Sequence, residues 1–221
     1  MNPLDISLLR ELFRITPYLF SVIAVVLFFF FHDTELLFFS IGSFCNGAFN
    51  GVLKHFIRAI FPSVSWINAI IERPPGAINC SCIIDPTAKA ASTPLGMPSG
   101  HCQSMGFFVG YLWSRFYHMS QKVDPANASA DASTNANTSA SMDSQPSLTY
   151  TLLIGVFGIV LMFIMAISRL GKDSWLFAVK YLPRDIVADS NGCHTLSQTI
   201  VGTLVGLALG GFWHYMYIID R

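Results

Sequence analysis

The chain has 221 residues, of which 52% are hydrophobic and only 12% are charged, and its mean hydropathy is +0.51. Soluble domains carry roughly 25% charged residues, so this composition excludes an ordinary soluble protein and predicts an integral membrane protein. The formal net charge is zero and no basic block occurs along the chain, which argues against a nucleic-acid partner.

The first 14 residues predict a helix that lies at the membrane interface. Leu4, Leu8 and Leu12 recur at helical spacing, as expected for one apolar helix face. Acidic and basic residues alternate with them, which is not the layout of a cleaved signal peptide.

Five segments are apolar over about the 20 residues that cross a bilayer, or nearly so. They are residues 15–31, 36–60, 99–119, 148–168 and 194–218. We therefore predict an all-α fold, a polytopic transmembrane helical bundle of about five spans that forms a single membrane-embedded domain over residues 1–221. Residues 120–147, rich in Ser, Ala, Asn and Thr, predict a flexible polar linker.

The second span carries a polar stripe. Asn46, Asn50, Lys54 and Arg58 are each four residues apart and therefore share one helix face. Charged residues in a span usually face the bundle interior or a wet cavity. The alternative is that the Asn residues join neighbouring helices and that the two cations reach the interface along their alkyl chains.

The loop after the second span contains Arg73-Pro74, and the third span opens with Pro98-Ser99-Gly100-His101. Ser99 is a helix-capping residue type, and Gly100 permits a ligand to approach the backbone closely. A helix start attracts anions, and His101 there can protonate a leaving group. The alternative is an interfacial histidine with a satisfied hydrogen bond.

A second helix start also carries a histidine. The fourth span ends in Ser168-Arg169 and the fifth opens at His194, with Gln198 one turn further along in a position to orient it. Alternation of the spans places both histidines on one side of the membrane, which we call the motif face. Three glycines that recur every four residues in the fifth span predict close helix packing: Gly202, Gly206 and Gly210.

Two histidines with Lys54, Arg73 and Arg169 around them predict a site for phosphoryl transfer. Fixed cations suit the charge spread over the phosphoryl oxygens, while one histidine attacks phosphorus and the other protonates the departing oxygen. No Asp/Glu cluster in the sequence marks a magnesium site. We therefore predict that the cations take the role of a metal and that no cofactor is needed.

These residues resemble the three motifs of the phosphatidic acid phosphatase type 2 superfamily: Lys54 with Arg73-Pro74, residues 98–101, and Ser168-Arg169 with His194. The stretches "GMPSGHCQSMGFF" and "HTLSQTIVG" are most similar to the dolichyldiphosphatase branch. The similarity covers residues 46 to about 210.

The resemblance implies that His194 is the nucleophile, which forms a phosphohistidine, and that His101 is the general acid. It implies a phosphate-binding set of Lys54, Arg73, Arg169 and the backbone of Ser99 and Gly100, with Pro74 and Gln198 in supporting positions. Many family members carry an Asp near the last His, where this chain has Gln198, as in the dolichyl branch.

Two spacings depart from the family pattern. Residues 55–72 separate Lys54 from Arg73, and residues 170–193 separate Arg169 from His194; both stretches are longer than the family has. The insert at 170–193 contains Arg184 as a rival to Lys54 for the third cation, and two acidic residues, Asp185 and Asp189, as possible partners of His194. A lid over the site and a plain surface loop are both compatible with this insert.

We therefore predict a membrane phosphatase that hydrolyses a lipid-linked phosphate or diphosphate, with a polyprenyl (dolichyl-type) diphosphate as the favoured substrate. The alternatives are a phosphatidate or other lipid phosphate as substrate, an inactive lipid-binding membrane protein, and a transporter. The transporter is disfavoured because the sequence contains no paired repeats.

The orientation of the motif face rests on conflicting signals. Ten of the 13 Lys and Arg residues fall on this face, which by the positive-inside rule would be cytosolic. The dolichyl resemblance instead implies the lumenal side of the endoplasmic reticulum membrane, which we favour. Potential glycosylation sites lie on the motif face at Asn79 and opposite it at Asn127 and Asn137.

A disulfide among Cys80, Cys82, Cys102 and Cys193 is compatible with an oxidising lumen.

Overall fold

The computed structural model describes residues 3–61, 70–73, 95–122, 148–170 and 193–219. Side chains are described within these ranges except at 3–14, 121–122 and 148–151. The greater part of the predicted linker and of the insert at 170–193 lies outside them. So do the following residues named above: Pro74, Asn79, Cys80, Cys82, Asn127, Asn137, Arg184, Asp185 and Asp189.

The described chain is helical. Its long helices are α1 (Pro3–Phe31), α2 (Thr34–Ile60), α3 (Gly100–Lys122), α4 (Leu148–Arg169) and α5 (Leu196–Ile219). Within the described ranges there is no strand, only two isolated β-bridges, Glu72 with Leu95 and Leu170 with His194. The all-α prediction is confirmed.

The predicted interfacial helix and the first predicted span form one continuous helix, α1, with Pro17 inside it. His32, with a φ of 53°, and Asp33 make the turn into α2. Asp33 caps α2, because its Oδ1 accepts a hydrogen bond from the Glu35 amide at 2.8 Å. The turn is short, so α1 and α2 run antiparallel and pack side by side.

Three helices are long and apolar enough to cross a membrane: α2, the part of α4 over Leu152–Arg169, and α5. The apolar part of α1, Ile15–Phe31, is shorter. α3 is less apolar than these because it carries polar and charged residues such as Gln103, Ser104 and Arg115. The count of about five spans therefore stays a prediction.

α3 lies at the centre of the bundle and packs most closely on α5. A Cβ atom added at Gly206 would lie 2.0 Å from the carbonyl oxygen of Gln103, and one at Gly110 would lie 2.2 Å from that of Leu207. Glycine is therefore required where these two backbones touch. The predicted packing role of the α5 glycines is confirmed, while the matching α3 glycines, Gly106 and Gly110, were not predicted.

Candidate active site

The start of α3 is held between α5 and the segment 70–73. The amides of Gly96 and Met97 both donate to the carbonyl oxygen of Ile71, at 2.8 and 3.1 Å. The Ser99 amide donates to the carbonyl oxygen of Gln198 at 3.1 Å, and the Ser99 carbonyl accepts the first helical bond, from Gln103, at 2.9 Å. Backbone contacts on both sides thus fix residues 98–101.

These contacts change what Ser99 offers to a phosphate. The side chain of Ser99 is fully buried, and Ser99 does not line the cavity described below, whereas Gly100 does. Since the Ser99 amide already donates to the backbone carbonyl oxygen of Gln198, Gly100 is the residue of this pair whose position at the helix start suits an anion in the cavity. The predicted contact between the Ser99 backbone and a phosphate stays a prediction.

The end of α4 lies directly beside the start of α5. The amides of Cys193 and His194 both donate to the carbonyl oxygen of Arg169, at 3.0 and 3.2 Å. Arg169 and His194, which the 170–193 insert separates in sequence, are therefore adjacent in space. Arg169 is buried at this junction and only 3% exposed.

Gln198 determines how His194 is held. Its Nε2 donates to the carbonyl oxygens of Ile70 and Glu72, at 2.8 and 2.7 Å. Its Oε1 therefore faces the other way, 3.1 Å from Nδ1 of His194 and 3.2 Å from the donating Thr195 amide. An amide oxygen only accepts hydrogen bonds, so Nδ1 carries the proton and Nε2 keeps its lone pair.

The predicted site residues meet at one cavity of about 240 Å³. Five of them line it: Lys54, Arg73, Gly100, His101 and His194. Arg169 does not line the cavity but lies close enough for its charge to act on His194. Pro74 lies outside the described residues, as does the rival cation Arg184.

Segment 70–73 folds back beside α2, and this return brings Lys54 and Arg73 together despite their distance in sequence. Three contacts hold the segment there: the Gln198 hydrogen bonds, the Glu72–Leu95 bridge, and an ion pair between Glu72 and Arg58. Arg58, the last residue of the polar stripe, therefore serves the fold of this loop and does not line the cavity.

The electrostatics of the site keep His194 neutral. Burial, the largest cause, and the charges of Arg73, Lys54 and Arg169 together lower the pKa of His194 to about 3. The hydrogen bond with Gln198 partly opposes this shift. Near neutral pH the ring is therefore unprotonated at Nε2 and available to attack an electrophile.

Arg73 also has unused hydrogen-bonding capacity. Its Nε atom is buried and has no hydrogen-bond partner among the described residues. Buried polar groups are normally paired, and a guanidinium fork matches the oxygens of a phosphate. Its position on the cavity wall fits an anionic ligand there.

An amide network lies behind Lys54. Gln103 Nε2 donates to Asn46 Oδ1 at 2.8 Å, and Asn50 Nδ2 donates to Gln103 Oε1 at 2.7 Å and to the Pro98 carbonyl oxygen at 3.3 Å. This network fixes α2 against the start of α3. The sequence predicted one polar stripe that contains both Asn residues, but it assigned no role in the site to Gln103, a polar amide within an apolar helix.

Metal ligands are sparse in the described part of the chain, which contains no group of three or more His, Cys, Asp or Glu residues able to hold an ion.

Cys193 is disulfide-bonded, and its partner lies outside the described residues, whereas Cys45 and Cys102 are free. Cys102 is thus not part of the predicted disulfide.

A family model of the PAP2 superfamily matches residues 35–172, more than half of the chain. The matched region contains Lys54, Arg73, residues 98–101 and Arg169, and it ends before His194. No curated protein and no solved structure is similar enough to the chain to count as a match. The extent of the family match shows that this helical chain belongs to the PAP2 superfamily, whose members are phosphatases.

Proposed function

We propose that this protein hydrolyses a polyprenyl (dolichyl-type) diphosphate in the membrane, through a phosphohistidine on His194. The observation that carries the proposal is the shared cavity, which is lined by two histidines and two cations. Family membership supports the coarser function, a lipid phosphatase. The diphosphate substrate rests on the similarity of two stretches, at 96–108 and 194–202, to the dolichyldiphosphatase branch.

In the first step, Nε2 of His194 attacks the terminal phosphorus and the bond from phosphorus to the leaving oxygen breaks. His101, on the same cavity, donates its proton to that oxygen. Lys54 and Arg73, with Arg169 behind them, stabilise the charge on the equatorial oxygens. The Nδ1 contact with Gln198 keeps the attacking lone pair directed away from the amide.

In the second step, His101 accepts a proton from water, and the water oxygen attacks the phosphohistidine. The bond between phosphorus and Nε2 breaks, inorganic phosphate leaves, and His194 returns to its neutral form. This exchange of acid and base roles requires only one titrating residue beside the leaving group.

We place the site on the lumenal side of the endoplasmic reticulum membrane. The disulfide at Cys193, directly before the nucleophile, supports an oxidising compartment, because thiols stay reduced in the cytosol. The excess of basic residues on this face points the other way. Three of those basic residues are the proposed phosphate ligands Lys54, Arg73 and Arg169, which accounts for part of the excess.

The experiment is phosphate release from a polyprenyl diphosphate by protein purified in detergent. His194→Ala is expected to abolish release and His101→Ala nearly to abolish it, while both variants still insert and purify. Rapid quenching with a labelled substrate should trap a labelled protein in wild type but not in His194→Ala. Full activity of purified His194→Ala would contradict the nucleophile assignment.

Metal independence is tested in the same assay. We expect activity to survive EDTA, because the cations are placed to carry the charge that a metal carries elsewhere. Loss of activity on chelation, with recovery on adding magnesium, would contradict this part of the proposal.

A further inference from the structure

The cavity continues well beyond the phosphate end. Its remaining walls come from three residues of α1, five of α2 and one of α3: Pro17, Tyr18, Ser21, Ser43, Phe44, Gly47, Ala48, Asn50 and Ser104. Lys54 and Ser43 are 11 positions apart on α2, which at about 1.5 Å per residue corresponds to roughly 16 Å along the helix axis. The cavity is therefore a groove that runs from the cations into the space between α1 and α2.

One face of α2 forms the floor of this groove. Ser43, Gly47, Asn50 and Lys54 follow one another at spacings of four, three and four residues, so they lie in line on one helix face. At Gly47 an added Cβ would meet no atom within 4 Å. Both Gly47 and Ala48 are exposed, as are Tyr18 and Phe44 on the wall of the groove. The groove is therefore open sideways, and the smallest side chains along this opening are those of Gly47 and Ala48.

The end of the groove farthest from Lys54 is closed. Ser21 of α1 and Ser43 of α2 are joined by a hydrogen bond of 2.6 Å between their hydroxyls, and Ser21 is buried. A chain that enters from the phosphate end therefore meets this pair and leaves sideways, where Gly47 and Ala48 obstruct it least. Large apolar side chains beside this exit, such as Phe44 and Phe49, are exposed, as expected for a surface that faces lipid.

The volume sets how much of a substrate fits. Ligand pockets commonly measure about 300–1,000 Å³, so a cavity of about 240 Å³ holds a phosphorylated head and only the first part of a lipid. This volume suits the start of one chain. The remainder of that chain then lies in the bilayer, where its apolar surface needs no protein cover.

We propose that the α1–α2 groove binds the first segment of a single lipid chain and that Gly47 and Ala48 form its exit into the bilayer. The proposal rests on the proposed function for the phosphate end of the cavity. It assigns α1 and α2 a role in substrate specificity, with the Ser21–Ser43 pair as the stop beyond which the chain does not pass.

Two glycine substitutions on the same helix test this role. Gly47→Leu fills the exit, and Gly51→Leu is its matched control, because a Cβ at Gly51 also meets no atom within 4 Å and Gly51 does not line the groove. Both changes raise helix propensity, so neither is expected to impair folding. The substrates are a single-chain polyprenyl diphosphate, a two-chain phosphatidate, and p-nitrophenyl phosphate, which has no lipid chain.

We expect Gly47→Leu to lower the ratio of kcat/KM for the polyprenyl diphosphate to kcat/KM for p-nitrophenyl phosphate by about tenfold or more, the effect of a mismatched apolar contact. Gly51→Leu should leave this ratio within about twofold of wild type. An unchanged ratio in Gly47→Leu, or a wild-type preference for phosphatidate over the single-chain lipid, would overturn the proposal.

A binding experiment separates the groove from the chemistry. A single-chain polyprenyl diphosphate with a photoreactive group on its first carbons is crosslinked to the inactive His194→Ala variant, and the labelled peptides are identified. Labels on α1 and on α2 near Gly47 support the groove even if wild type releases no phosphate, an outcome that would count against the proposed function alone. Labels confined to α3, α4 or α5 would refute the groove.

Discussion

The side chain of Gln198 joins three parts of the chain at the level of single residues. It fixes the tautomer of His194 through Oε1, and it holds the backbone of Ile70 and Glu72 through Nε2. The backbone carbonyl oxygen of Gln198 accepts a hydrogen bond from the Ser99 amide. A neutral amide here orients His194 without adding a negative charge, so the histidine remains a weak base among cations.

We therefore expect Gln198→Glu to shift the pH profile. In wild type His194 loses its nucleophilic form only as the pH falls toward its pKa of about 3. A carboxylate beside the ring stabilises the protonated form and raises this pKa. The acid limb of kcat/KM should consequently move to higher pH in the variant.

Gln198→Ala is the control for this experiment. It removes the hydrogen bonds to Ile70 and Glu72 as well as the contact with His194, so it should lower activity and thermal stability, but it places no charge beside the ring. An acid limb that moves equally in both variants would show that loss of packing, rather than charge, determines the shift.

Lys54 provides the second test at the residue scale. Removal of a preorganised donor from a transition state costs about 3–4 kcal/mol, a hundredfold or more in rate. We expect Lys54→Ala to lower kcat by at least about a hundredfold, because Lys54 lines the cavity with Arg73. The measurement is single-turnover phosphate release by purified variants.

Two arginines serve as comparisons for Lys54. Arg58 lies one turn away on α2 and pairs with Glu72 at a partly exposed position, where ion pairs contribute little. Arg58→Ala and Arg184→Ala should each cost less than about tenfold, equivalent to 1.4 kcal/mol. A larger loss for Arg184→Ala than for Lys54→Ala would show that the 170–193 insert supplies the third cation.

At the scale of elements, the α3–α5 contact sets the geometry of the site. The two helix starts that carry His101 and His194 belong to these helices, and their backbones touch at glycines along their length. Near the other end, Ser114 of α3 bonds His214 of α5 at 3.0 Å, and Arg115 pairs with Glu35 of α2 at 2.8 Å. Both ends of α3 are thus fixed against their neighbours.

We expect Gly206→Ala to destabilise the protein by more than about 1 kcal/mol, the lower end of the cost of overpacking. The added methyl group would lie 2.0 Å from the Gln103 carbonyl oxygen, so α3 and α5 must separate. Gly155→Ala in α4 is the matched control, because its Cβ meets no atom within 4 Å. Thermal unfolding in detergent compares them, and equal Tm values would contradict the role of the close contact.

At the scale of the whole molecule, both candidate catalytic residues, His101 and His194, lie at one end of the bundle. The ends of α2 and α4 and the starts of α3 and α5 meet there, while Glu35, Ser114 and His214 mark the opposite end. The orientation of the bundle in the membrane therefore decides which compartment supplies water and receives phosphate.

We expect Asn79 to be the glycosylated site when the protein is synthesised with microsomes, because it follows Arg73 on the motif face that we place in the lumen. Asn127 and Asn137 should remain unmodified. The measurement is the gel shift of Asn79→Gln and of Asn127→Gln/Asn137→Gln relative to wild type. If only the double variant Asn127→Gln/Asn137→Gln loses the gel shift, the motif face lies in the cytosol.

The sequence by itself determined the class of the protein and much of the proposed chemistry. Apolar runs separated by polar ones predicted the helices, since an apolar segment of bilayer length is a local property of the chain. The residues at 98–101 and 194–198 indicated paired histidines at helix starts, because capping and spacing are also local. The glycines every four residues predicted a close helix contact for the same reason.

Only the tertiary structure decided which of these residues meet. The distance between Lys54 and Arg73 in sequence says nothing about the return of segment 70–73, which is held by Gln198 from a helix more than 120 residues later. The engaged Ser99 amide and the Asn50–Gln103 bond likewise depend on contacts between distant helices. The groove between α1 and α2 was not predicted either, because a cavity is formed by the gaps between elements and leaves no pattern within any one of them.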